Sequence, residues 1–175
     1  MNERPANPNA EAKALTLDDY LPYRLSVAAN AVSELIARAY QSRFGLSIPH
    51  WRLMAVLGED GPLTQQAICR RTVMDKVTVS RAAAALTKRG LVSRAPNEAD
   101  GRSHRVGLSD QGQALYDEIA PLALAYEARL IKAFSPFEQH TAHSLLRRLE
   151  AAAEALTAGE DLVERAVRAP KSNDR

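Results

Sequence analysis

The segment of residues 63–108 constrains what this chain can fold into more than any other part of its sequence. Thr64 and Asp75 each precede a short run with helical spacing, and both side chains can accept a hydrogen bond from a first-turn amide of a helix. Gly90 can adopt the positive φ that ends a helix. The segment therefore predicts two short helices joined by a turn, the second running from Asp75 to Lys88.

Two short apolar runs follow the second helix, at 91–95 and 104–108, and both are typical of β-strands. Gly101 lies between them, where a turn needs a residue that tolerates positive φ. A charged β-hairpin placed directly after a helix-turn-helix has the form of a wing.

Positive charge is concentrated in the same segment. Residues 64–107 contain nine Lys or Arg and three Asp or Glu, whereas the whole chain has a formal net charge of only +2. A local excess of this kind supplies affinity for phosphates through counterion release. The basic residues are Arg70, Arg71, Lys76, Arg81, Lys88, Arg89, Arg94, Arg102 and Arg105.

The second predicted helix has two different faces. Apolar side chains recur on one face at three- and four-residue spacing, and the opposite face is slim. A helix with few bulky outward side chains can enter a groove about 12 Å wide. The inner face is Val79, Ala82, Ala83 and Leu86, and the outer face is Val77, Arg81, Ala84 and Lys88, flanked by Thr78 and Ser80.

Long helices with apolar stripes are predicted on both sides of the segment. They span 18–44 and 110–157, and Gly159 can end the last of them. These apolar stripes are longer than packing against a winged core at 47–109 can bury. A second copy of the chain, related by a two-fold axis, is therefore expected to cover them. The fold class is mainly α with a small β-hairpin wing (α+β), a winged helix-turn-helix between N- and C-terminal dimerisation helices. We expect a disordered tail at 1–14 and a C-terminal tail at 160–175.

Several classes of protein are not favoured. No apolar run is long enough for a membrane helix or a signal peptide, so a cytoplasmic protein is expected. Cys69 is the only cysteine, which excludes an internal disulfide, and it is expected to pack as a small apolar residue. His140 and His143 could share a helical face, but no converging third ligand is evident, so no metal or cofactor is predicted. The motifs of phosphate-binding loops, nucleophile elbows and zinc proteases are absent, so we do not expect an enzyme.

The order of these parts resembles the MarR family of bacterial transcription regulators, over residues 20–156. The most specific feature is Asp100-x-Arg102 in register with the Leu-Ser-x-x-Gly that ends at Gly112. The alanines at 82–85 depart from relatives, which often have larger residues there. The other motifs are LSIPHWRLM at 46–54, Ser80-Arg81 with LTKRGLV at 86–92, and the wing RAPNEADGR at 94–102 running into VGLSDQG at 106–112.

The resemblance implies a homodimer that places one recognition helix of each subunit in successive major grooves of a pseudo-palindromic operator, with half-sites about 34 to 36 Å apart. Each wing then reaches the adjacent minor groove through Arg102, which Asp100 orients. Contacts to bases or phosphates are expected from Lys76, Thr78, Ser80 and Arg81, and contacts to phosphates from Arg70, Arg71, Lys88, Arg94 and Arg105.

The resemblance also implies a small-molecule effector, an aromatic acid or an acyl-CoA thioester, that releases a repressor from DNA. The segment 74–82 is similar to relatives that control hydroxycinnamate catabolism. Trp51 and Tyr23 suit ordinary packing between helices equally well. The candidate effector residues are Tyr20, Tyr23, Arg24, His50, Trp51 and Arg52.

One alternative from another class remains open, a winged-helix protein-interaction module whose basic face binds an acidic protein. The two functions differ in their dependence on DNA sequence and on salt.

Overall fold

The computed structural model describes residues 15–97 and 103–168, with side chains described as far as residue 159. The predicted tail at 1–14 and the wing tip with Asp100 and Arg102 lie outside these residues. The helices are a 3-10 turn at Leu17–Asp19, α1 Leu21–Phe44, α2 Ile48–Asp60, α3 Gln65–Thr72, α4 Lys76–Lys88, α5 Asp110–Ile131 and α6 Pro136–Arg168, and the strands are β1 Leu63–Thr64, β2 Val92–Pro96 and β3 His104–Leu108.

The predicted fold class is confirmed, because helices predominate and the described strands form one small antiparallel sheet. Its strand order is β1-β3-β2. In the hairpin, Val92 pairs with Leu108 and Pro96 with His104. The strand β1 was not predicted, since two residues are too few to show a periodicity. Its pairing of Leu63 with Val106 ties the start of α3 to the wing.

The helix ends predicted around the helix-turn-helix are confirmed. The Thr64 hydroxyl oxygen accepts a hydrogen bond from the amide of Ala67 at 3.3 Å. The Asp75 carboxylate accepts one from the amide of Thr78 at 2.9 Å. Gly90 follows α4 with φ +72°. These contacts satisfy amides that the first turn of a helix leaves without backbone partners.

The predicted end of the last helix is wrong, because α6 continues through Gly159 to Arg168. A glycine inside a helix costs about 1 kcal/mol relative to alanine, which is too little to end a helix without a left-handed cap. Among the described residues, no helix is both long and apolar enough to cross a membrane.

The chain divides into two compact units, with the boundary between Ala123 and Leu124. The first unit contains the hydrophobic core, and the inner face of α4 predicted from the sequence is buried in it. Cys69 is half-buried against this core. The core also draws on α2, α3, the strands and α5: it includes Leu46, Leu53, Met54, Ile68, Val79, Ala82, Ala83, Leu86, Leu91, Val92, Val106 and Ile119.

The second unit holds the end of α5 and α6. A capping box holds the start of α6, since Ser135 donates from its amide and its hydroxyl to Glu138, both at 2.7 Å. No described residue from Leu124 to Gly159 is buried. The large apolar side chains left exposed in this unit are Leu124, Leu130, Phe134, Phe137, Leu145, Leu146, Leu149 and Leu156.

The start of α5 lies against the segment that joins α4 to the wing. The amide of Ser109 donates to the carbonyl of Leu91 at 3.1 Å, and the Ser109 hydroxyl accepts from the amide of Gly112 at 3.0 Å. A Cβ atom on Gly112 would stand only 1.9 Å from the Leu91 carbonyl oxygen. Only glycine fits this approach.

We predict that Gly112→Ala lowers the free energy of unfolding by about 3 kcal/mol, because a backbone carbonyl cannot swing aside as a flexible side chain can. Urea denaturation measures the change. Gly159→Ala is the matched control: nothing lies within 4 Å of a Cβ there, so this helical site should gain at most about 1 kcal/mol. Equal stability of the Gly112 variant and the wild type would contradict the close approach.

Candidate nucleic-acid interface

The outward face of α4 combines polar and small side chains. Lys76, Ser80, Arg81, Ala84 and Lys88 are exposed on it. The burial of the inner face, with Val79 and Leu86 at 0% exposure, fixes which side of the helix is presented. The predicted division of α4 into a buried apolar face and an exposed outer face is therefore confirmed. The contacts of the outer face with DNA remain predictions.

The first turn of α4 is held by Asp75, which receives two hydrogen bonds from Thr78. The Thr78 amide donates to one carboxylate oxygen at 2.9 Å, and its hydroxyl donates to the other at 2.6 Å. The hydroxyl bond is the main cause that lowers the pKa of Asp75 below its ordinary value. Because the hydroxyl proton of Thr78 is used in this cap, the side chain can only accept a hydrogen bond, as from the amino group of a base, and cannot donate to a phosphate.

Arg71 is committed to the end of α2. Its guanidinium donates to both carboxylate oxygens of Asp60, at 2.7 and 3.2 Å, and lies 3.1 Å from Glu59. The hydrogen bond lowers the pKa of Asp60. The two carboxylates offset the charge of Arg71, whose contact with a phosphate remains a prediction.

Arg105 is held by the backbone. Its guanidinium donates to the carbonyl of Pro62 from Nε at 3.0 Å and also from Nη2. The residue pairs with Thr64 in β1 and Ala95 in β2. The head group of Arg105 is therefore fixed over the link between α2 and β1.

Arg89 joins the ends of two helices. It follows α4, and its two terminal nitrogens donate to the carbonyls of Phe44 and Gly45, each at 2.9 Å. Carbonyls at the C-terminus of a helix lack intrahelical partners, and the helix dipole favours a cation there. Arg89 therefore connects α4 to α1. Nothing in the sequence distinguished it from the other cations.

The side chains of the remaining described cations of the segment are exposed and make no hydrogen bond or ion pair with any residue that the structure describes. They lie on α3, on the outer side of α4 and on the wing strand β2, where phosphates can reach them. These residues are Arg70, Lys76, Arg81, Lys88 and Arg94.

Lys76 and Arg94 line one open groove of about 420 Å³ between the helix-turn-helix and the wing. Gln66 and His104 also line it, and the sequence did not indicate either. The side-chain amide of Gln65 donates from Nε2 to the backbone carbonyl of Lys76 at 3.2 Å, which ties the starts of α3 and α4 together. The tertiary structure thus brings the predicted cations of helix and wing to one concave surface.

His50 has a structural role at the start of α2. Its Nδ1 accepts a hydrogen bond from the amide of Ser47 at 3.3 Å, which requires that nitrogen to be unprotonated. Burial, and then the charge of Arg89, lower the pKa of His50 below its ordinary value of 6.5. This candidate effector residue is therefore engaged as a cap.

Trp51 packs between two tyrosines. Its ring centroid lies 5.0 Å from that of Tyr40, in a tilted arrangement, and 6.2 Å from that of Tyr116, in a stacked one. The indole is half-buried against the core. Trp51 therefore joins α1, α2 and α5 by aromatic packing, the role that the sequence left open for it.

The structure does not bring the six candidate effector residues together within one chain. Tyr20, Tyr23 and Arg24 lie at the start of α1, and Arg24 faces Asp18 at 3.8 Å. Tyr40, which touches Trp51, follows Tyr23 by about 25 Å along the helix axis at 1.5 Å per residue. Arg52 is exposed on α2. In the described part of the chain, no cluster of His, Cys, Asp or Glu could hold a metal ion.

We predict that His50 makes stability depend on pH. Its pKa in the folded chain is below 6.5, so the unfolded chain binds the proton more readily. Well above pH 6.5, His50 should add no pH dependence to the free energy of unfolding. That free energy should fall as the pH drops through 6.5 toward the folded-state pKa.

Urea denaturation over a pH series measures this effect, and His50→Gln should remove it, because glutamine can accept the Ser47 amide without titrating near neutral pH. The lowered carboxyl pKa values of Asp60 and Asp75 act in a more acidic range. Identical pH profiles for the wild type and the variant would contradict the role of His50.

Comparisons with known proteins match this geometry. The family model described as the MarR family matches residues 44–103. A probable transcriptional regulator from Pseudomonas aeruginosa is 34% identical, with a TM-score of 0.68 and coverage of 77% of this chain and 99% of that one. Comparison with curated proteins gave no significant match.

Two more distant structures share the fold. A MarR/EmrR family transcriptional regulator from Acinetobacter sp. ADP1 is 24% identical, with a TM-score of 0.75 over 81% of this chain and 99% of that one. BpsR of Bordetella bronchiseptica, whose DNA binding is regulated by 6-hydroxynicotinic acid, is 20% identical, with a TM-score of 0.72 over 78% and 96%.

The family model spans α2, the helix-turn-helix and part of the wing, and the Pseudomonas regulator extends the likeness along the dimerisation helices predicted from the sequence. The chain therefore belongs to the MarR family, whose members are transcriptional regulators and not enzymes.

Proposed function

We propose that this protein is a homodimeric repressor that binds a pseudo-palindromic operator and is released by a small molecule. The observation that carries the proposal is the set of exposed cations on α3, α4 and the wing strand whose side chains pair with no described residue. They lie next to an outer face of α4 that is slim enough for a major groove. Base or phosphate contacts are assigned to Lys76, Thr78, Ser80, Arg81 and Arg94, and a minor-groove contact to Arg102.

Exposed apolar side chains support the homodimer. In the second unit, Phe134 and Phe137 are 52% and 78% exposed, and leucines follow them along α6. In the first unit, Leu21 and Val27 are exposed on α1. Helices with this much uncovered apolar surface are stabilised by a partner, and an isologous two-fold contact is the most economical one.

The effector that we propose is a small aromatic acid or its acyl-CoA thioester. The regulation of the structural relative BpsR by 6-hydroxynicotinic acid supports an aromatic acid. Within one chain, Arg52 is the exposed candidate on α2, since His50 caps the helix and Trp51 packs between two tyrosines. Tyr20, Tyr23 and Arg24 could join Arg52 only from a second copy, given their distance along α1.

We expect an aromatic acid that binds the folded dimer to raise its Tm, because a ligand selective for the folded state stabilises it. A thermal-shift screen of aromatic acids and their thioesters measures this, with Arg52→Ala as the variant that should lose the shift. Equal shifts for Arg52→Ala and the wild type would exclude Arg52 from the site.

We predict that the full chain binds a sequence selected from random duplex DNA about a thousandfold more tightly than unselected DNA, or better. The logarithm of affinity should fall with the logarithm of salt concentration, with a slope of about −9 if five cations of each subunit neutralise phosphates. Equal affinity for selected and unselected DNA would contradict an operator and favour the acidic-protein partner.

Two single variants separate direct from indirect roles in that titration. Arg94→Ala should make the slope shallower by about 2, since one phosphate contact is lost in each subunit. Arg89→Ala should weaken binding without changing the slope, because its guanidinium serves the carbonyls of Phe44 and Gly45. A slope change for Arg89→Ala of the same size would show a direct phosphate contact instead.

A further inference from the structure

Val77 is an exposed apolar side chain in the first turn of the recognition helix. It is 57% exposed, although it lies in an element whose buried positions are well filled. Its neighbours one turn further along the outward face are Ser80 and Arg81, which are polar and exposed. Val77 belongs neither to the hydrophobic core of the first unit nor to the partly buried residues packed against that core.

The orientation of Val77 follows from the burial of the opposite face. At 100° per residue, the mean direction of Val79, Ala82, Ala83 and Leu86 points almost directly away from Val77, within about 10°. Because these four residues are buried, α4 cannot roll about its axis. Val77 therefore stands at the centre of the outward face.

In the first turn of α4, the side chain next to Val77 is turned toward the helix cap. The Thr78 hydroxyl is turned toward Asp75, to which it donates at 2.6 Å. The first turn of a recognition helix is the part that meets base edges. In the major groove those edges are polar donors and acceptors, with the C5-methyl group of thymine as the apolar exception.

We propose that Val77 reads the methyl group of a thymine in each half-site, a proposal that rests on the operator binding proposed above. Valine and the thymine methyl exclude water from each other, whereas valine over a cytosine or purine edge covers hydrogen-bonding groups without replacing their partners. Val77 is thus a specificity-determining residue that the charge pattern did not reveal.

The geometry also places this thymine relative to the contact of Arg81. The two residues are one turn apart, about 6 Å along the helix axis, which corresponds to about two base-pair steps. Arginine pairs most often with guanine in the major groove. A half-site with a thymine about two base pairs from a guanine is therefore expected.

The test is a double-mutant cycle in which Val77 is truncated in the protein and the thymine methyl group is removed from the DNA. The full chain is titrated with the selected operator and with operators in which each half-site thymine pair is replaced in turn by uracil, which lacks only the methyl group. Val77→Ala is titrated with the same set. The DNA control replaces a thymine in the flanking DNA, outside the selected operator, by uracil.

At one symmetric pair of thymines, we expect uracil to weaken wild-type binding about fourfold for each half-site, the effect of exposing one methyl-sized apolar group. Val77→Ala should bind thymine and uracil operators with equal affinity. An equal loss for the wild type and Val77→Ala, or no loss at any half-site thymine, overturns the proposal while operator binding stands. Absence of any preference for the selected DNA by the wild type overturns the proposed function itself, and this inference with it.

Discussion

The burial of one face of α4 is the constraint on which the proposed interface depends. Val79 and Leu86 are fully buried among α2, α3 and the strands, and the alanines between them allow close approach of the neighbouring backbone. With this face fixed, the outward residues cannot be exchanged for others by a roll of the helix. The side chains offered to DNA are therefore set by the core, and the charges only supply affinity.

Not every basic residue of the segment has a head group that is available to a ligand. Arg71 is balanced by Asp60 and Glu59, while Arg89 and Arg105 donate to backbone carbonyls. These three arginines connect α3 with α2, the end of α4 with α1, and β3 with the link before β1. Part of the cationic segment thus holds the framework together, and the proposed DNA contacts rest on the cations that remain.

Local signals in the sequence predicted local structure well. The caps at Thr64 and Asp75, the turn glycine at Gly90 and the inner face of α4 were all predicted, because each depends on neighbouring residues and on helical spacing. The stop at Gly159 failed, since a helix ends only when its last carbonyls find other partners. The strand β1 and the groove shared by Lys76 and Arg94 were not predicted, because they join residues distant in the chain.

The sequence alone determined the order of helices, turn and wing, the concentration of basic residues and the likeness to a family of regulators, since these follow from composition and spacing. Only the tertiary structure decided which basic side chains are available and which are committed, that His50 caps α2, and that Trp51 packs between two tyrosines. It also placed Tyr23 about 25 Å along α1 from Tyr40, the residue that contacts Trp51 of α2. The physical reason is that a side chain's partners are set by packing between distant segments, which no local pattern records.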